Sequence, residues 1–149
     1  VRAEKGNQVE VVCFSKDRSF QLSQFLRSFF VFGFLGVGEV DVHITVLYTT
    51  SAAIYKEGYS NLKHKYRGSR VSFVEEKDFG FATQLYEIVK DSCRLRGENL
   101  KILFAVDDAI FCREFSLKDG CGILEANKEI YSIQFKLNPG ILFCQTKGK

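Results

Sequence analysis

Methionine is absent from all 149 residues, so the chain lacks even a start residue and reads as a segment excised or processed from a longer one. A lone proline excludes collagen-like and polyproline-rich architectures. No apolar run approaches the roughly 18–20 residues that a membrane span needs, and no signal peptide opens the chain. Charge of one sign is scarce too. Lys and Arg number 21 against 18 Asp and Glu, and the resulting +3 is too small to mark a nucleic-acid binder. Zinc-ligand spacing is also missing: Cys13, Cys93, Cys112, Cys121 and Cys144 form no C-x-x-C, and neither His43 nor His64 stands at ligand spacing from them. Cys13, Cys112 and Cys144 lie in apolar stretches, where a free thiol packs as a small hydrophobe. That usage suits a reducing, cytoplasmic setting.

What is present suffices for a core. Hydrophobic residues make up 46% and charged residues 26%, the balance of one folded domain rather than a disordered chain. Val9-Glu10-Val11-Val12-Cys13-Phe14 is β-branched and nearly continuous, which predicts a strand buried on both faces. The polar run Ser15-Lys16-Asp17-Arg18-Ser19 ends it. Leu22, Phe25, Leu26, Phe29 and Phe30 then recur at helical spacing, with Ser19 as the expected N-cap and glycines from Gly33 onward as the stop. A second strand over 40–48 places Val42, Ile44, Val46 and Tyr48 on one face and Asp41, His43 and Thr45 on the other.

From Ser51 a second helix puts Ile54, Tyr55, Tyr59, Leu62 and Tyr66 on its inner side, interrupted by Gly58. A short strand over 71–74 follows, then a helix over about 79–93 with Phe81, Leu85, Ile88, Val89 and Ser92 down one stripe, then a very apolar strand over 100–106. Beyond them the pattern predicts a helix near 122–127, a strand over 130–137, a turn at Asn138-Pro139-Gly140 and a hairpin strand over 141–145. The order β-α-β-α-β-α-β implies an α/β fold: an open, mostly parallel sheet sandwiched between helices, with a short β-rich C-terminal end.

Ligands of such sheets bind at the carboxyl ends of the strands. Three polar clusters fall there: residues 15–18, residues 75–78, and Asp107-Asp108. The last is the sharpest, two adjacent carboxylates between a hydrophobic strand and Ala109-Ile110-Phe111. Neighbouring side chains diverge, so one acid can hold a divalent cation while the other meets a ribose hydroxyl or a metal-bound water. A solvated turn is the plain alternative. Hard oxygen ligands at a strand end suit Mg²⁺ or Mn²⁺, which complete their shells with water and phosphate. Other chemistries lack their signatures. Gly33, Gly36 and Gly38 follow a helix, the wrong context for a dinucleotide fingerprint; there is no P-loop and no G-x-S-x-G elbow. A phosphatase-like nucleophile loop would need a second, spaced Asp and a Thr, and would follow the first strand.

Val-Val-Cys-Phe-Ser-Lys-Asp-Arg at 11–18, the repeated α/β units and Ile-Leu-Phe-Ala-Val-Asp-Asp-Ala-Ile-Phe at 102–111 together resemble a GT-A-fold glycosyltransferase of the family-2-like kind. The resemblance implies a Rossmann-like, single nucleotide-sugar-binding domain over 1–149, truncated before the acceptor-binding part. It implies a nucleotide-diphospho-sugar donor contacted by Phe14, Ser15, Asp17 and Arg18 at base and ribose and by Glu75 or Glu76 at the base. Asp108, with Asp107, would bind the Mn²⁺ or Mg²⁺ that bridges the diphosphate, and Asp107 is equally suited to the ribose. The acceptor would be a glycan, a lipid or a protein. One departure stands out: the family motif is D-x-D, whereas Val106-Asp107-Asp108-Ala109 supplies adjacent acids. The catalytic base of such enzymes lies well beyond the acidic motif, so no residue here is assigned that role. A non-catalytic α/β nucleotide-binding or interaction module remains the reading from a different class.

Overall fold

The computed structural model describes residues 7–33, 40–77, 80–97 and 99–133. The chain divides into two compact units, Val1–Lys118 and Asp119–Lys149. The first holds four strands, β1 (Asn7–Lys16), β2 (Val40–Thr49), β3 (Val71–Glu75) and β4 (Lys101–Val106), alternating with α1 (Ser19–Phe32), α2 (Ala53–Lys65) and α3 (Phe81–Arg96). All pairings are parallel and the spatial order is β3-β2-β1-β4. This is an α/β fold of Rossmann-like order. A fourth helix, α4 (Leu117–Ala126), crosses the division between the units. In the second unit Asn127 closes that helix, its amide and its Nδ2 both donating to the Ile123 carbonyl at 3.1 and 2.8 Å. Among the described residues no helix is long and apolar enough to cross a membrane.

Alternation along the strands sorts side chains onto two faces. Ser15 lies on the face that meets Tyr59 of α2, and Phe14 on the face that meets Phe81 of α3. Right-handed crossovers explain the split: β1 to β2 to β3 steps one way, and α3 must then carry the chain back past β1 to β4. The core lies chiefly between the sheet and α1. Leu22, Phe25, Leu26 and Phe29 are wholly buried at the predicted spacing, each burial contributing about 1.5–3 kcal/mol.

On the α3 face the sheet buries one carboxylate. Glu10, 1% exposed, accepts from Thr45 Oγ1 at 2.6 Å and lies 3.0 Å from His43 Nδ1 and 3.6 Å from Arg96 Nε. His43 Nε2 reaches Ser72 Oγ at 3.0 Å, so this histidine has a structural partner on each ring nitrogen. A buried carboxylate without such partners would be strongly destabilising.

Several expectations change. Arg18, not Ser19, occupies the N-cap position of α1, its carbonyl taking the Leu22 amide at 2.9 Å, and no side chain caps the helix, because a guanidinium offers the first-turn amides no acceptor. In α2 only Tyr59 and Leu62 are buried; Ile54 is 80% and Tyr55 41% exposed, since the first turn of that helix projects past the packed layer. In α3 the buried residues are Gln84 and Ser92, while Phe81 is 42% exposed. Gly97, with φ +102°, closes α3, a backbone shape that favours glycine. Cys112 is exposed rather than packed, because Phe111 beside it takes the apolar place between Phe25 and Phe29. Residues 130–133 are not strand; the remainder of that predicted strand, the 138–140 turn, the 141–145 hairpin, Gly36, Gly38 and Cys144 lie outside the described residues.

Candidate functional site at the switch point of the sheet

Register determines what meets at the carboxyl edge. Ser15 pairs with Tyr48, Tyr48 with Glu75, and Phe14 with Val106, so Ser15, Tyr48, Glu75 and Asp107 form one row on the α2 face. The strand order reverses between β1 and β4, and in open α/β sheets the crevice at that reversal is where ligands bind. Asp107 and Asp108 stand on one side of it, immediately after β4. Ser15, Asp17 and Arg18 stand on the other, at the end of β1 and the start of α1.

The two sides are in contact. Ser15 Oγ donates to Asp107 Oδ2 at 2.8 Å, and the Asp107 amide donates to the Phe14 carbonyl at 3.1 Å. The Arg18 guanidinium lies 3.6 Å from Asp107 Oδ1 and 3.4 Å from Asp108 Oδ2. Burial divides the acids. Asp107 is 4% exposed with a partner on each oxygen, whereas the Asp108 side chain is 59% exposed and faces only the half-exposed Arg18. Exposed pairs of that kind contribute about 0–1 kcal/mol, so Asp108 is cheaply released to a ligand. Below the row, burial raises the Cys13 thiol well above its usual range, and the charges of Asp107 and then Asp108 raise it further, so that thiol stays protonated.

Downstream, aromatic packing holds the acidic turn. The Phe111 ring stacks on Phe115 at 4.3 Å and meets Phe25 and Phe29 of α1 at 6.1 and 5.7 Å, while the Phe111 amide donates to Ser28 Oγ at 3.1 Å.

Other predicted residues are placed differently. Asp17, at φ +58°, accepts from the Ser51 hydroxyl and amide at 2.7 Å each. It clasps the loop before α2, and these bonds, the hydroxyl first, hold its carboxyl below the ordinary range. Glu75 accepts from the Tyr48 hydroxyl at 3.2 Å, and Lys63 donates to that hydroxyl from α2. Glu76 joins the edge through its amide, 2.7 Å from the Tyr48 carbonyl. Phe14 faces α3, between Phe81 and Phe104, away from the row. Sequence reading missed Tyr59 and Gln84 as site-edge residues. Gln84 binds the Glu75 carbonyl through Nε2 and the Lys77 amide through Oε1, both at 2.8 Å, and so shapes the turn after β3. Its position on an apolar helical stripe was the available signal.

Among the described residues no three His, Cys, Asp or Glu side chains gather as a metal cluster. A cation here would therefore rest on one exposed carboxylate and on ligand oxygens. The donor chemistry fits Mg²⁺ or Mn²⁺, which take one or two carboxylates and keep the rest of their shell for water and phosphate.

No protein-family model matches the chain. Comparison with curated proteins finds similarity to the bifunctional glycosyltransferase pgtA of Dictyostelium discoideum, 32% identical over 145 residues. The chain is similar to part of a glycosyltransferase. The similarity runs through 95% of this chain but only 18% of that protein, so the chain spans less than a fifth of the relative's length. The aligned stretch is long enough to include both flanks of the crevice.

Proposed function

We propose that the chain is the donor-binding part of a glycosyltransferase that uses a nucleotide-diphospho-sugar with Mn²⁺ or Mg²⁺. The observation that supports it most is the meeting of Arg18 with Asp107 and Asp108 across the switch point of a parallel sheet. Similarity to a glycosyltransferase over nearly the whole chain supports the same reading. The nucleoside would sit at the exposed Glu75 end of the edge, since Ser15 and Tyr48 are buried under α2, and the diphosphate would meet Arg18 and Asp108.

Asp108, exposed and weakly paired, would hold the cation; Asp107, buried and tied to Ser15, fixes the turn that presents it. When bound, the cation neutralises the charge that develops on the departing nucleoside diphosphate. Arg18 swings from the acids to the diphosphate, where a guanidinium matches paired phosphate oxygens. Asp17 orders the loop from beneath through Ser51 rather than by touching the donor.

Thermal unfolding with UDP, GDP and ADP, free and as sugar conjugates, with and without Mn²⁺, tests the proposal. A ligand that binds only the folded chain adds about 2.7 kcal/mol at 100 times its Kd. The expected result is a shift for one nucleotide that needs metal and is lost in Asp108→Ala. An unchanged shift in Asp108→Ala rejects the metal assignment. No shift for any nucleotide favours the non-catalytic module.

A further inference from the structure

Helical spacing alone makes Tyr59 a core residue of α2, and its ring behaves as one. It is 1% exposed and stacks on Tyr48 with centroids 4.4 Å apart. Phenylalanine would satisfy those contacts equally well. The hydroxyl is the part that phenylalanine lacks, and it serves the crevice: it lies 2.6 Å from Ser15 Oγ and accepts the Arg18 amide at 3.1 Å.

Counting protons orders this chain. Serine has one hydroxyl proton, and it goes to Asp107 Oδ2, because a carboxylate can only accept. Tyr59 therefore donates to Ser15, and its own oxygen accepts from Arg18. The result is one directed relay, Arg18 N–H to Tyr59 O–H to Ser15 O–H to Asp107. Burial raises the Tyr59 hydroxyl above its ordinary pKa, which keeps the donated proton in place. Two supports of the acid pair, the Ser15 bond and the Arg18 guanidinium, thus converge on one oxygen from a helix that does not itself border the acids.

We infer that Tyr59 is a positioning residue of the acid site. Its hydroxyl fixes the Ser15 rotamer and the Arg18 backbone, so that Asp107 stays buried in one orientation and the Arg18 side chain starts from beside the acid pair, within reach of a diphosphate, while Tyr59 touches no ligand. The ligand half of this inference rests on the donor-site reading above; the relay rests on the geometry alone.

The test uses the full chain as Tyr59→Phe, Ser15→Ala, the double variant, and Ser15→Thr, which restores the hydroxyl. One readout needs no ligand: hydrogen exchange of the Arg18 amide by NMR. Tyr59→Phe is expected to speed that exchange about tenfold while α2 amides such as that of Leu62 keep their protection. The second readout is affinity for UDP, GDP and ADP with Mn²⁺. Tyr59→Phe and Ser15→Ala are each expected to weaken the bound diphosphate about tenfold, the double variant no more than either single, and Ser15→Thr to match wild type. Wild-type exchange in Tyr59→Phe overturns the inference, as do losses that multiply in the double variant. If wild type binds none of the three diphosphates, the donor-site reading falls, and the Arg18 exchange still upholds or overturns the relay.

Discussion

Gly58 sits in the interior of α2, where alanine ordinarily stabilises a helix by about 1 kcal/mol over glycine. Here the opposite sign is expected. A Cβ at this position would stand 2.0 Å from Ser19 Oγ and 2.7 Å from Ser19 Cβ. The hydroxyl can rotate away, but Ser19 Cβ is fixed to the first residue of α1. Carbon atoms pack at about 3.5–4.0 Å, so the helices must part by roughly 1 Å to admit the methyl group. Overpacking of this kind costs about 1–3 kcal/mol. Set against the helical gain, Gly58→Ala should destabilise the chain by about 0–2 kcal/mol. Ser19→Gly removes both obstructing atoms, and in that background the same substitution should stabilise by roughly 1 kcal/mol. Urea unfolding of the four chains in the cycle gives the coupling, expected at about 1–3 kcal/mol. If Gly58→Ala stabilises both backgrounds equally, the close approach of α2 to Ser19 is not what requires the glycine.

Three further outcomes follow from the packing around the crevice. Because the folded Asp17 pKa is depressed, its contribution to stability is present above about pH 3.9 and is lost as pH falls through the folded value; Ser51→Ala should return that pKa part-way to normal in a carboxyl NMR titration, and an unmoved titration would refute the clasp. Phe111→Ala should lose about 2–3 kcal/mol in urea unfolding, at or just below the foot of the ~3–5 kcal/mol range for a fully buried aromatic because the ring is half-buried. Native-state alkylation followed by peptide mapping should modify the exposed Cys112 first and leave Cys13 untouched until unfolding; early labelling of Cys13 would contradict its burial and raised pKa.

The strands and helices of the first unit were legible because their signals are local. Val9 to Phe14 is apolar apart from Glu10, as a strand covered on both faces must nearly be, whereas the equally apolar run ending at Val106 forms an edge strand with no buried residue. Half of the crevice was legible for the same reason: strand ends mark the working edge, and Arg18, Asp107 and Asp108 lie at such ends. What escaped was set by contacts between distant residues. Tyr59 occupies a helical position that read as plain core and Gln84 one that carried no reading, and only their partners 44 and 9 residues away reveal what their polar atoms do. Gly58 read as an interruption because propensity cannot register a neighbouring helix. Ile54 and Phe81 read as inward because periodicity gives a direction but not where the packed layer ends.

The central place of β1 has a consequence for how the chain comes into being. Its two edges pair with β2 and with β4, and β4 begins 85 residues after β1 ends. At a synthesis rate of about 5–20 residues per second, the nascent chain holds a deeply buried strand with one edge open for roughly 4–17 s. Such an edge is a template for wrong pairing until its partner emerges. Ser15 meets Asp107 only when that last strand docks, so a nascent chain stalled before β4 can carry three strands and still possess no crevice.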